Sequence, residues 1–338
     1  MAYASTSTYF GSGNGSILGG FNEKDHGHFF EFSQNLRSCT IYHIILNRDK
    51  KMAKAKVNIK AQIVEQLLEI MTAAQATGTN WVMPFGGSSG APVNVVTGRK
   101  YRGMNALFLT MIGGTHFATY KQWGELDAQV RKGERGTKIT VPMPVKDKVT
   151  GEAAGMYWKG ATVFSAAQVD GWEAPATKAV DETERNATVD AFTANIGVEV
   201  NYSTQGAAFY RPSTDSIQMP HRAQFTATDT STATETFYST LLHEYVHSTG
   251  HKSRLNRLGS KNTRGYAYEE LIAEIGATML CVELGVSPAA REDHGQYLAS
   301  WIKVLDNDHD YIFKAASEAQ KAVDYLHSLQ SSQLEQAA

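Results

Sequence analysis

The segment His243-Glu244-Tyr245-Val246-His247 matches the H-E-x-x-H pattern. On a helix, residues four apart lie one turn above each other, with Cβ atoms about 5–6 Å apart, so His243 and His247 can converge on one metal ion. Glu244 is rotated by about 100° from the first histidine, where a carboxylate can reach a water molecule at the metal without binding the metal itself. The spacing therefore predicts a divalent metal centre, Zn²⁺ or another ion such as Mn²⁺, with Glu244 as the catalytic base.

The residues around this motif predict the helix that the metal centre needs. Thr232 and Glu235 have the spacing of a capping box, and an apolar pattern follows and ends near Gly250. Apolar neighbours of the motif indicate that the helix is largely buried, which strengthens the polarising effect of an ion. The alternative is a helix that carries two exposed histidines and no metal.

A catalytic zinc usually takes a third protein ligand, and three residues compete for that role. Glu270 and Glu274 are four residues apart in a second predicted helix and could project together toward the first. We predict Glu270 as the third ligand and Glu274 as the group that orients a ligand histidine. His251 is displaced by about 80° from His243 on an ideal helix, so it is less suited to bind the same ion.

Length and composition limit the class of protein. The chain has 338 residues, enough for two ordinary domains, and is 42% hydrophobic and 20% charged. It contains no apolar run of the roughly eighteen residues that a membrane helix needs, so we expect no membrane partner. Cys39 and Cys281 are too few and too far apart to predict a disulfide framework, and this cysteine usage favours the cytoplasm.

The chain is predicted to have an α+β architecture with four segments. Residues 1–51 read as a disordered or dispensable extension, because a periodic helix starts only after Met52. Residues 52–172 mix strands, turns and short helices. The acidic segment 173–190 is the predicted linker, and residues 191–330 form a mainly helical second domain with a small sheet.

Individual elements are also predicted. In the first domain, 138–145 and 161–164 read as strands, and 119–130 reads as a short helix. In the second domain, 207–210 and 216–219 flank the turn residues Pro212 to Asp215 and predict a hairpin, whose second strand could hold an extended peptide by edge pairing. Later helices are predicted at 266–284, 291–305 and 310–329.

Charge is distributed unevenly along the chain. Residues 52–172 hold 14 Lys and Arg against 8 Asp and Glu, whereas residues 173–338 hold 13 against 22. A basic first half favours a polyanionic partner for that half alone. Two basic clusters there are the predicted DNA contacts: Arg99, Lys100, Tyr101 and Arg102 in one, and Arg131, Lys132, Arg135 and Lys138 in the other. Nearby aromatic residues could stack on the bases of a single strand: Tyr101, Tyr120, Trp123, Tyr157 and Trp158.

Both halves resemble one known family. The stretches 243–251 and 268–274 resemble the zincin-like metallopeptidase domain of ArdC-type antirestriction proteins, and 96–105 and 130–136 resemble the N-terminal single-stranded DNA-binding domain that this family shares with TraC-type primases. The resemblance implies a protein that binds single-stranded DNA and shields incoming DNA from host restriction enzymes.

Two other functions fit the same residues. One is a metalloprotease that is activated by single-stranded DNA and acts on DNA-bound proteins. The other is a protein that coats DNA and uses the metal only for structure. Catalysis would require Glu244, whereas a coat would not.

Overall fold

A computed structural model gives the structure of the chain, and the residues it describes are 58–76, 90–146, 150, 152–175, 181–228, 231–258, 263–287 and 308–336. The predicted extension 1–51, the start at Met52 and the predicted helix 291–305 lie outside these residues. Helix α1 (Ile59–Ala76) confirms the periodic helix after Met52. It buries Ile63, Val64 and Leu67.

The first half is an α+β arrangement around a four-stranded sheet. Its elements are β1 (Val93–Asn94), α2 (Gly103–Ile112), β2 (His116–Thr119), α3 (Tyr120–Gly124), β3 (Gln129–Val130), β4 (Thr137–Lys146), β5 (Ala153–Ser165) and β6 (Val169–Asp170). The strand order is β1-β2-β5-β4, so β4 lies at an edge, and β3 pairs with β6 in a separate ribbon. The predicted α+β class is confirmed.

The long antiparallel pair β4–β5 contains both strands predicted in this half, at 138–145 and 161–164. The free edge of β4 is partly covered, because the Asn105 side chain accepts from Thr140 N (3.0 Å) and donates to Thr140 O (2.6 Å). The helix predicted at 119–130 is wrong in length. Thr119 caps a helix of only five residues, the backbone turns at Asp127 (φ 56°), and the rest of the segment pairs as β3.

The second half places a three-stranded sheet on a group of helices. Its elements are α4 (Glu182–Ala194), β7 (Glu199–Ser203), β8 (Phe209–Arg211), β9 (Ser216–Pro220), α5 (Ala233–Thr249), α6 (Thr263–Leu284) and α7 (Asp310–Gln336). The predicted hairpin is confirmed as the antiparallel pair β8–β9. However, β7 pairs with β9 in parallel on its other side, so the strand predicted to hold a peptide by edge pairing is central and has no free edge.

Part of the predicted linker 173–190 is helical. Asp181 caps α4 by accepting from Glu184 N, and α4 buries Val189 and Phe192. These side chains join the largest hydrophobic core, which also contains Ile63 and Leu107 from the first half and Leu242 from the second. The two halves therefore share a core, because apolar faces of α1 and α2 pack with those of the later helices. The predicted domain boundaries stay a prediction.

Among the helices that the structure describes, none is long and apolar enough to cross a membrane.

The cap of α5 should contribute measurably to stability. Thr232 Oγ1 accepts from Glu235 N at 3.2 Å, while Glu235 Oε2 accepts from Thr232 N at 2.9 Å. Thr232→Ala is expected to lower the free energy of unfolding by about 1 kcal/mol, since it leaves an amide of the first turn without its side-chain acceptor. Urea unfolding checks this, with the exposed Thr226→Ala as the control. Equal stability of both variants would contradict the stated role of the cap.

Candidate metal centre

Helix α5 brings the two motif histidines together inside the protein. His243 and His247 lie one turn apart and are 1% and 2% exposed. Their Nε2 atoms are 3.0 Å from each other, so both rings point to the same place. The apolar side of the helix packs into the main core through Leu242 and Val246, which fixes its position.

Helix α6 supplies a carboxylate at this place. Glu270 is 3% exposed, and its two carboxylate oxygens lie 3.5 Å from His243 Nε2 and from His247 Nε2, respectively. The close approach of α6 to α5 depends on Gly276, because an added Cβ there would lie 2.9 Å from Val246 Cγ1. A larger residue at this position would push the carboxylate away from the histidines.

The three residues fit a metal ion. His243, His247 and Glu270 each offer a ligand atom, and these atoms all lie within 4.8 Å of one another. Zinc binds imidazole nitrogen at about 2.0–2.1 Å, so two ligand atoms on a tetrahedral ion lie roughly 3.3 Å apart. The separations of 3.0 and 3.5 Å agree with that value. Two imidazoles and a carboxylate are also a donor set that divalent zinc or manganese accepts.

A second carboxylate faces the other nitrogen of each histidine. Glu274 Oε1 lies 3.1 Å from His243 Nδ1, and the orienting role of Glu274 stays a prediction. Glu269 Oε1 lies 3.3 Å from His247 Nδ1, a contact that the sequence analysis missed. Carboxylates beside both Nδ1 atoms favour the tautomer with hydrogen on Nδ1, which leaves the Nε2 lone pairs directed at the common place.

Arg257 holds Glu269 in turn. Its Nε and Nη2 donate to the two Glu269 oxygens at 2.9 Å each, while Nη2 and Nη1 also donate to Val246 O (2.6 Å) and Thr249 Oγ1 (2.7 Å). One guanidinium thus ties the last turn of α5 to the carboxylate that orients His247. The planar fork of arginine suits this double contact, which a lysine could not reproduce.

The charges of the cluster shift its pKa values in opposite directions. Burial by itself would lower the pKa of His247, but the charge of Glu270 and hydrogen bonds with Glu269 and Glu270 raise that pKa to about 10. Burial would raise the pKa of Glu270, yet His247 and His243 lower it well below its usual range. The Glu270 carboxylate is therefore an anion that stabilises a positive charge beside the two Nε2 atoms. A proton on a histidine can supply that charge, and so can a bound divalent cation.

Glu244 and His251 have different positions relative to the cluster. Glu244 is 2% exposed and close enough that its charge contributes to the raised pKa of His247. His251 lies beyond the end of α5, where its Nδ1 is 2.7 Å from Ser253 Oγ and 3.8 Å from Asp215 Oδ2. It is not a member of the group of ligand atoms around His243.

The contact between Glu269 and His247 yields a testable expectation for the metal site. Glu269→Gln should weaken metal binding by about 10- to 100-fold, because the amide holds the Nδ1 hydrogen of His247 less strongly and loses the ionic contact with Arg257. Titration calorimetry with Zn²⁺ and Mn²⁺ checks this result. The control is Glu283→Gln, which changes a carboxylate on the same helix that pairs with Lys100 at 3.1 Å. Unchanged affinity in Glu269→Gln would contradict the orienting role.

A cavity of about 430 Å³ adjoins the opposite side of α5. Its floor is formed by Phe237, Leu241 and Tyr245 of α5, and its wall includes Val200 and Tyr202 of the edge strand β7. The metal-bearing helix therefore also lines a space of mixed polarity beside a strand edge, to which Asp190, His221 and Arg222 contribute polar groups.

The first predicted DNA-binding cluster is engaged within the protein. Lys100 pairs with Glu283 of α6, and Arg102 pairs with Asp324 of α7. Tyr101 is partly buried, and its ring packs edge-on against Phe117, with centroids 6.3 Å apart. Arg99 is exposed. These surface pairs connect the first half to the later helices but leave the Lys100 and Arg102 side chains 57% and 61% exposed, whereas Tyr101 does not offer an open stacking face.

The second predicted cluster lies before and at the start of β4. Arg131 pairs with Glu134 and Asp170 and donates to Ala167 O, and Lys132 and Arg135 are exposed. Lys138 Nζ donates to Thr162 Oγ1 at 2.8 Å on the neighbouring strand. Of the predicted stacking residues, Trp123 is fully buried, whereas Tyr120, Tyr157 and Trp158 are exposed.

Comparisons with known proteins place these features in one family. Residues 57–193 match the family described as the N-terminal domain of anti-restriction factor ArdC, and residues 187–318 match the zincin-like metallopeptidase family. The chain is 35% identical to the antirestriction ArdC protein from the R388 plasmid, whose metal-free crystal structure matches with a TM-score of 0.65, covering 82% of this chain and 99% of that one. The chain belongs to the ArdC antirestriction family.

Other relatives extend the comparison. An Mn(II)-bound structure of the same R388 protein matches with a TM-score of 0.64 at 34% identity, covering 81% of this chain and 98% of that one. An uncharacterised protein of Sinorhizobium fredii, y4eC, is 37% identical over 78% of this chain and 90% of its own length. The DNA primase TraC of Escherichia coli is 35% identical over 84% of this chain, but the match spans only 28% of TraC.

The family match confirms the predicted resemblance, including its two-part organisation. A divalent metal ion is supported by the zincin-like match, by the Mn(II)-bound relative and by the His243, His247 and Glu270 cluster. The two family matches meet within α4, at residues 187–193.

Proposed function

We propose that this ArdC-family protein binds single-stranded DNA, protects incoming DNA from host restriction, and carries a metal-dependent peptidase site. The observation that carries the catalytic part is the buried group His243, His247 and Glu270, with Glu244 beside it on α5. The family supports the antirestriction role, since its R388 member is named an antirestriction protein. Restriction enzymes or other DNA-bound proteins are the proposed partners, and the cysteine usage favours the cytoplasm as the place of action.

The proposed chemistry divides among the residues of the site. A Zn²⁺ or Mn²⁺ ion held by His243, His247 and Glu270 would act as a Lewis acid toward a peptide carbonyl and its attacking water. Glu244 would accept the proton of that water as general base and pass it to the leaving amine. Glu269 and Glu274 would fix the orientation of the two histidine rings. Burial of the cluster would strengthen the attraction between the ion and its ligands and the polarisation of the carbonyl.

Two alternative functions share the metal site. A protease that is activated by single-stranded DNA would need both Glu244 and bound DNA. A coat protein would need the metal for folding only, and its protection would survive loss of Glu244. The buried position of Glu244 beside the metal cluster favours catalysis over a purely structural metal, which needs no such carboxylate.

Binding of the full chain to labelled single-stranded and duplex oligonucleotides tests the DNA part. We expect preferential binding of the single strand, with an affinity that falls as salt rises, because phosphates are neutralised by Lys and Arg side chains. In parallel, transfer of a restriction-sensitive plasmid into a restricting recipient should increase when the protein is present. Folded, metal-loaded protein that binds neither nucleic acid would contradict this part of the proposal.

A further inference from the structure

The far half of the β4–β5 hairpin carries a cluster of exposed apolar side chains. Met156, Tyr157 and Trp158 are 66%, 51% and 49% exposed, and Val145 on the paired strand is 39% exposed. We call these four residues the hairpin patch. Met156 and Trp158 lie on one face of the hairpin and Tyr157 and Val145 on the other, so exposed apolar side chains occupy both faces of its far half. Large apolar side chains scattered singly need no explanation, whereas several within one short hairpin indicate a surface that a partner contacts.

The patch begins where the hairpin extends past the other residues that the structure describes. Nearer its base, Ile139 and Val163 are buried against Leu109 and Phe117. At Gly160 the helix α1 still covers the strand, since an added Cβ would lie 3.1 Å from Ile59 Cδ1. At Gly155 an added Cβ would meet nothing within 4 Å. The patch is therefore exposed because the two strands continue beyond the layer that packs on them.

The edge of this hairpin resists pairing with another strand. β4 is the outer strand, and Pro142 and Pro144 are paired with Trp158 and Met156. Both prolines share the orientation of Thr140, whose N–H and C=O point to the free edge and bond Asn105. Since proline has no N–H, the free edge lacks donors at these two positions. Strand addition at this part of the edge is therefore disfavoured, which leaves the side chains as the more suitable contact surface.

The charge around the patch favours a polyanion. Residues 131–165 contain seven Lys and Arg against three Asp and Glu. Lys159 follows Trp158 directly and is exposed. Exposed aromatic rings next to cationic side chains are the combination that binds single strands, in which rings stack on bases and cations neutralise phosphates. Duplex DNA keeps its bases stacked on one another and offers no such faces.

We propose that the hairpin patch is the stacking platform for single-stranded DNA, with Trp158 and Tyr157 contacting bases and Lys159 contacting the phosphate backbone. This inference rests on the proposed DNA-binding function and moves its main contacts from the first predicted cluster to the hairpin. Alternation along β5 directs Met156 and Trp158 to one face and Tyr157 and Lys159 to the other. The single-stranded DNA would therefore wrap around the projecting hairpin and contact both of its faces.

Fluorescence anisotropy of a labelled oligothymidylate with the full chain tests the platform. Trp158→Ala should weaken binding by about 10- to 100-fold while leaving the salt dependence unchanged, because a stacking contact is lost and no charge is. Trp158→Phe should retain most of the affinity. Lys159→Ala should lower the slope of log affinity against log salt by about 0.7, the value for one phosphate contact on a single strand.

Tyr202→Ala is the matched control, because Tyr202 is 48% exposed but lies on β7 in the other half. It should bind like the wild type. If the wild type binds and the double variant Tyr157→Ala/Trp158→Ala binds equally well, the platform is wrong while DNA binding stands. If the wild type does not bind, both proposals fail. If the double variant loses self-association in sedimentation with unchanged DNA affinity, the patch is a protein interface and the inference is overturned.

Discussion

Replacement of Glu270 by glutamine is expected to weaken binding of Zn²⁺ and Mn²⁺ by roughly 100-fold or more. The binding free energy of a protein zinc site is about 10–16 kcal/mol and is shared by about four ligands, so the loss of one ligand has an effect of this size. The change keeps the shape of the side chain but removes the negative charge that lies 3.5 Å from both Nε2 atoms. Titration calorimetry on the folded variant measures this loss.

The other two candidates for the third ligand provide the controls. Glu274→Gln should cost about 10- to 100-fold, the effect expected of a group that faces Nδ1 of His243 and orients the ring without binding the metal, as we propose. His251→Ala should leave metal affinity unchanged, since its imidazole contacts Ser253 outside the cluster. A larger loss in His251→Ala than in Glu270→Gln would mean that the ligand set is wrong.

Glu244→Gln is expected to lower metal-dependent peptide hydrolysis by about 10²- to 10⁴-fold with metal content unchanged, because the amide cannot accept a proton. Cleavage of single-strand-bound proteins, followed by gel electrophoresis and with metal measured in the same samples, checks this expectation. In a plasmid-transfer assay with a restricting recipient, protection should fall in parallel if proteolysis causes it.

Glu199→Gln is the control for this variant, since Glu199 is an exposed glutamate on β7. It should retain activity and protection. Full protection by Glu244→Gln with normal metal content would favour the DNA-coating alternative. Full hydrolysis by the same variant would show that Glu244 is not the base.

Local chemistry made much of the site predictable from the sequence. The capping box of Thr232 and Glu235 determines where α5 begins, and the four-residue spacing of the histidines places both rings on one face. The turn residues 212–215 likewise predict the β8–β9 hairpin. Glu270 was predicted as the third ligand because it and Glu274 are four residues apart on the next helix and could project together toward α5.

Contacts between distant residues were not predictable in the same way. Glu269 lies 3.3 Å from His247 on a helix that approaches Val246 closely at Gly276, and nothing near Glu269 in the sequence indicates this contact. Lys100 and Arg102 pair with carboxylates 183 and 222 residues later, so a basic cluster that resembles a DNA contact is partly used within the protein. The parallel pairing of β7, which makes β9 central, also depends on such long-range packing.

X-ray absorption spectroscopy of the full chain loaded with one equivalent of Zn²⁺ identifies the atoms that bind the ion. We expect one bound ion per chain, with a signature of two imidazole ligands and a carboxylate that is lost in His243→Ala. An ion bound without imidazole ligands, or no stoichiometric binding by the folded chain, would contradict this expectation.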